Sequence, residues 1–188
     1  MRTLSLAVAL LTAASVATAQ DRAAGQFEIR PFVGTNVPLG NQRDVVKDAP
    51  MFGAQFAYEY WTNLHFVGSL GWVPAKDRYQ VRDNGVDIFQ YDAGVEYGLV
   101  KPQKEGWELK PFLGAGLGVR TFAFADAALK DRSCAAGYGA LGTEFQWGAT
   151  ALRLEARDMV HCYRSPLAGV KSKTRQDLGL SLGVAFHF

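Results

Sequence analysis

Residues 176–188 alternate without a break: Leu178, Leu180, Leu182, Val184, Phe186 and Phe188 fall on one side, and Asp177, Gly179, Ser181, Gly183, Ala185 and His187 on the other. A period of two is that of a β-strand. One face of this strand is large and apolar, and the other is small or polar. The stretch ends on an aromatic residue, Phe188.

The same pattern recurs, so that eight strands are expected: 27–35, 51–60, 64–72, 88–99, 108–121, 134–147, 149–162 and 176–188. Each is long enough to cross the hydrocarbon of a bilayer as a tilted strand, which takes about 9–11 residues. The connections alternate in length. Residues 36–50, 74–85, 123–133 and 163–175 form long links, while 61–63, 100–107 and the turn near Trp147 and Gly148 are shorter. Long links on one side and short ones on the other are expected of a barrel whose loops face the cell exterior.

Charge placement decides which face is inside. Glu28, Arg30, Glu96, Lys110, Arg120, Glu144, Arg153, Glu155, Arg157 and Asp177 all lie opposite the large apolar side chains. A soluble eight-stranded barrel would have to crowd Phe, Tyr, Trp and Leu into an interior just wide enough for side chains. With the apolar face outward, glycines and paired charges fill the lumen, and closure satisfies every backbone group as hydrocarbon requires. The sequence therefore points to an all-β, eight-stranded antiparallel up-and-down transmembrane β-barrel spanning residues 20–188. Tyr58, Tyr60, Trp72, Tyr97, Phe145, Trp147, Phe186 and Phe188 stand near strand ends, where interfacial aromatic girdles belong. Before the barrel, Arg2, the apolar run from Leu4 to Leu11 and the small residues Ala17-Thr18-Ala19 form a cleavable export signal, residues 1–19. A formal charge of +2 supplies no bulk attraction for nucleic acid.

The signal, the eight alternating strands and the terminal Val184-Ala185-Phe186-His187-Phe188 together resemble the small eight-stranded outer-membrane barrels of the OmpA/OmpX-like superfamily. The resemblance implies residence in a Gram-negative-type outer membrane and contact with its lipid and lipopolysaccharide. It also implies that Phe188 is an assembly signal read by the barrel-insertion machinery. It does not imply one activity: members include structural anchors, adhesins, solute conduits and a few lipid-modifying enzymes. Oligomeric state is left open.

The expected site is the lumen charge cluster of Glu28, Arg30, Glu96, Lys110, Arg120, Glu144, Arg153, Glu155 and Arg157, either a closed ionic plug or a polar permeation path. Eight strands favour the plug. A turn at Trp147-Gly148 would set Arg153 opposite Gly142, diagonal to Glu144, and Arg157 opposite Tyr138. In that register Cys134 faces His161. A bulge would then allow a Cys134–Cys162 disulfide at the outer rim and would turn Asp158 away from lipid.

No catalytic, cofactor or metal site is expected. His65, His161 and His187 are scattered, and no nucleophile, base and acid share one place. Gly114-Ala115-Gly116-Leu117-Gly118 lies inside an alternating strand rather than ahead of a helix, so it is not a phosphate loop. The last long loop carries Arg164, Lys171 and Lys173, a cationic set that either meets lipopolysaccharide phosphates or is simply solvated. The first reading is a non-enzymatic structural or surface role carried by the loops. The alternative is a narrow conduit for small or hydrophobic solutes.

Overall fold

A computed structural model describes residues 26–43, 46–76, 85–99, 107–125, 131–163 and 173–188. The proposed export signal lies outside these residues, as do much of the long loops and Arg164 and Lys171. Eight strands follow one another: β1 (Phe27–Leu39), β2 (Ala49–Trp61), β3 (Leu64–Lys76), β4 (Gly85–Gly98), β5 (Glu108–Phe124), β6 (Arg132–Trp147), β7 (Thr150–Tyr163) and β8 (Lys173–His187). Each pairs antiparallel with its neighbour in sequence, and β1 pairs with β8, which closes the barrel. Closure leaves no strand edge unpaired. The last residue belongs to the seam, since the Phe188 N–H donates to Phe27 O at 2.9 Å.

The apolar face points outward. Phe56, Phe66, Leu70, Val95, Leu113, Leu117, Leu141, Leu154 and Leu182 are among the large side chains left exposed. So extensive an apolar exterior would associate or aggregate in water and suits hydrocarbon. Near the short-turn end the aromatics pair with one another: Phe27 with Tyr58 at 4.9 Å, Tyr60 with Phe66 at 5.6 Å and Trp107 stacked on Phe145 at 5.1 Å. Toward the loops, outward Trp72 donates its indole N–H to Asp87 Oδ1 at 2.9 Å. An aromatic with one apolar body and one satisfied polar tip fits the bilayer interface.

Two sequence expectations are corrected. First, several strands run further toward the loops than the outward alternation suggests: β1 to Leu39 through Pro38, β3 to Lys76 through Pro74, and β5 to Phe124. The inward residues at this end are apolar: Val73 and Ala75 of β3, Val86 and Ile88 of β4 and Phe122 of β5 pack on Ala49 and Met51 inside the barrel. Proline removes only one donor, and near a strand end that loss is tolerated. Second, the β6–β7 turn is Gly148-Ala149, with Trp147 paired to Thr150. Gly148 has φ 62°, and a two-residue turn of type II′ takes its glycine in the first central position. The turn thus sits one residue later than expected, and every partner across β6–β7 shifts by two. Arg153 opposes Glu144 directly, Arg157 opposes Ala140, and Glu155 opposes Gly142. The faces are unchanged because a shift of two preserves the pleat.

Candidate functional site

Inward side chains of all eight strands meet in the lumen. Toward the turn end they form one continuous ion-pair network. Arg30 on β1 donates to Glu28 Oε2 at 2.7 Å on its own strand and reaches across to Glu96 on β4 at 3.3 Å. Arg153 on β7 binds Glu144 on β6 at 2.5 Å, Glu96 on β4 and Glu155 on β7 at 2.8 Å. Glu155 also accepts from Arg157 at 2.8 Å and from Gln55 on β2 at 3.0 Å. Arg157 continues to Ser69 on β3 at 3.0 Å and Asp92 on β4 at 3.1 Å, where Gln90 also donates.

Glu96 and Arg153, Arg157 and Asp92, and Gln55 and Glu155 sit on non-adjacent strands, so these bonds cross the barrel from wall to wall. Aromatic rings shelter two of the cations: the Arg153 guanidinium lies 3.6 Å over the Phe112 ring and that of Arg157 lies 4.2 Å over Tyr138.

A second network lies nearer the loops. Arg120 on β5 pairs with Asp177 on β8 and donates to Asn36 on β1 at 3.0 Å, while His161 Nε2 meets Asp177 at 3.1 Å. Above it comes the apolar layer of Met51, Val73, Ile88 and Phe122. The first loop folds onto this layer: after a 3-10 turn at Gly40–Gln42, Val46 is buried in the same cluster, and Lys47 N–H donates to Lys76 O at 3.0 Å. Between the networks a pocket lined by Phe32, Asn36, Met51, Gln55 and Arg157 has a volume of about 10 Å³, room for one water molecule.

The structure brings Glu28, Arg30, Glu96, Glu144, Arg153, Glu155 and Arg157 into one cluster. It sets Arg120 apart with Asp177, and places Lys110 at the turn end, 3.4 Å from Glu108. Asp92, Gln55 and Ser69 complete the cluster and were absent from the sequence-derived set. Their inward parity on β4, β2 and β3 was the signal available.

Cys134 and Cys162 are joined by a disulfide with a Cα–Cα distance of 5.6 Å. Ala136, not Cys134, opposes His161 in the last β6–β7 ladder pair, and the bridge lies just beyond it. Asp158 points outward, where Gln176 donates to both its oxygens at 2.9 Å. Reduction, or Cys134→Ser, is expected to lower the urea midpoint of unfolding. Chain entropy sets the scale at about 3–4 kcal/mol for a loop of this length. Comparing oxidised and reduced protein by heat-modifiable gel migration in urea checks this.

No protein-family description and no curated protein matches the sequence. Among solved structures the barrel is similar to the outer membrane protein OprG from Pseudomonas aeruginosa, with 16% identity over 91% of this chain and 99% of that one and a TM-score of 0.61. Neisserial surface protein A (NspA) gives 17% identity, 87% and 99% coverage, and a TM-score of 0.61. Ail of Yersinia pestis, in complex with the heparin analogue sucrose octasulfate, gives 18% identity, 88% and 100% coverage, and a TM-score of 0.51. The chain has the fold of the small eight-stranded outer-membrane barrels. With its apolar exterior, this fold belongs in the outer membrane.

Proposed function

We propose that this protein is a non-conducting, non-enzymatic barrel that serves as a rigid base for the loops it presents at the cell surface. The observation that carries the reading is the wall-to-wall bonding of Arg153, Glu96, Arg157, Asp92, Gln55 and Glu155 across the lumen. A permeating solute would have to break several buried ion pairs at once, and each broken pair strands an uncompensated charge. Each histidine is engaged by a carboxylate rather than by a hydroxyl: His161 by Asp177, and His65 and His187 by Glu28. That pattern favours a structural over a hydrolytic role.

Loops on a rigid scaffold are where binding resides. Arg164 and Lys171, with Lys173 where β8 begins, make this segment cationic, and a barrel of the same fold, Ail, is seen in complex with the heparin analogue sucrose octasulfate. The surface of this protein is assigned to polyanion recognition, with lipopolysaccharide phosphate as the resident partner. Binding of sucrose octasulfate and of lipopolysaccharide to the detergent-solubilised barrel is expected to weaken with salt and to fall at least about tenfold when all three cations become alanine. Affinity that ignores both salt and the triple substitution would refute this assignment.

Residues 1–19 are proposed to direct export, and Phe188 to be read by the insertion machinery. Phe188 is exposed, and its seam bond uses only the backbone N–H. Phe188→Ala is therefore expected to reduce the amount of barrel recovered from the outer membrane while leaving the urea midpoint of the recovered protein unchanged. An equal fall in both would make Phe188 a stability residue instead.

A further inference from the structure

The turn end of the lumen has a floor built from four strands. Glu28 of β1, Glu144 of β6 and His187 of β8 each offer a ligand atom there, all within 4.8 Å of one another. His65 of β3 stands at the edge of this group, its Nδ1 3.5 Å from Glu28 Oε1. We propose that this floor binds one divalent metal ion of the zinc class, held by Glu28, Glu144 and His187, with His65 completing the set.

Three separate observations support the site. The first is spacing. Ligand atoms about 2.0–2.2 Å from a tetrahedral metal stand roughly 3.3–3.6 Å apart. Glu28 Oε1 is 3.2 Å from His187 Nδ1 and 3.5 Å from His65 Nδ1. Its other oxygen is bound by Arg30, which fixes the carboxylate as an outer partner does in metal sites.

The second is unmet bonding. His65 Nδ1, although 3.5 Å from Glu28 Oε1, is buried without a hydrogen bond. Buried imidazole nitrogens left unpaired are costly, and an ion is one of the ordinary explanations.

The third is charge. The turn-end network buries five carboxylates, Glu28, Asp92, Glu96, Glu144 and Glu155, against three guanidiniums, Arg30, Arg153 and Arg157. Lys110 with Glu108, and Arg120 with Asp177, balance themselves. Within this network, with its imidazoles neutral, two negative charges remain unpaired, which burial disfavours, and one divalent cation cancels them. Two imidazoles with carboxylates select a borderline ion such as zinc over magnesium or calcium, which prefer all-oxygen sets. Glu28 and His187 are partners across the β1–β8 seam, so the ion would clasp the barrel where its ends meet.

The test uses the full chain expressed in a Gram-negative host, purified folded from the outer membrane in detergent and stripped with a chelator. Cobalt(II) titration is expected to saturate at one ion per chain with visible d–d absorption, and zinc should displace it. His187→Ala and Glu28→Gln should each weaken affinity by about tenfold or more. His161→Ala, which touches the other network, should not. Heat-modifiable migration verifies that each variant is folded, and His65→Ala serves if either of the first two fails to fold. Absence of d–d absorption in the folded wild-type protein would overturn the site. So would affinity unchanged by the ligand substitutions, or nitrogen NMR showing both imidazoles doubly protonated after cobalt addition.

Discussion

Replacing Arg153 by alanine is expected to cost the barrel about 3–5 kcal/mol, the range for removing one partner of a buried ion pair. Arg153 binds Glu96, Glu144 and Glu155 from three strands and lies over the Phe112 ring. Its loss leaves three buried carboxylates with Arg30 and Arg157 as the remaining nearby guanidiniums. The unfolding midpoint in urea, read by heat-modifiable gel migration in detergent or lipid, should fall steeply. Arg153→Lys keeps the charge but not the forked set of donors, and should fall between the two. A midpoint unchanged in Arg153→Ala would mean that the network contributes nothing to holding the walls together.

Gly116→Leu is expected to abolish folding rather than weaken it. Gly116 opposes Gly94 across β4–β5, and both face inward under Tyr138. A Cβ built on Gly116 would lie 2.4 Å from Ala93 O and 2.6 Å from Tyr138 Cε1. The carbonyl belongs to the ladder and cannot move aside without breaking it. Tyr138 in turn carries the Arg157 guanidinium on its ring, so displacing it disturbs the network above. Overpacking a core typically costs about 1–3 kcal/mol, and a clash with backbone stands above that range. Gly139→Leu is the matched control: it has nothing within 4 Å of its added Cβ and points outward, so it should fold normally. Equal yields of folded protein from the two variants would contradict this reading of the glycines.

These two residues also mark what was legible in the sequence. The strand count, the closure and the facing of Arg153 and Gly116 follow from parity alone, because one step along a strand reverses the face. The identity of Arg153's partners was partly legible. Glu144 lies within the same hairpin, but its register depended on which residue of the turn is the required glycine, and Gly148 fills the position that moves all pairs by two. Glu96 lies on a strand three away around the barrel, and no linear spacing encodes that meeting. The apolar layer at the mouth was hidden for another reason: Val73 and Phe122 have inward parity but lie beyond the strand ends that the outward alternation marks, and Ile88 stands at such an end. The two floor histidines, His65 and His187, are far apart in sequence and meet near Glu28 only because the barrel closes.

The central claim is that the lumen is closed, by ion pairs through its turn-end half and by the apolar layer with Val46 at its mouth. The most direct test is conductance of the folded protein, isolated from outer membrane, after insertion into a planar lipid bilayer. The expected result is silence at voltages where the bilayer itself holds, with insertion verified by protease protection of the barrel. Reproducible conductance steps from the wild-type protein, altered in size by Arg153→Ala, would contradict the claim and make the barrel a conduit.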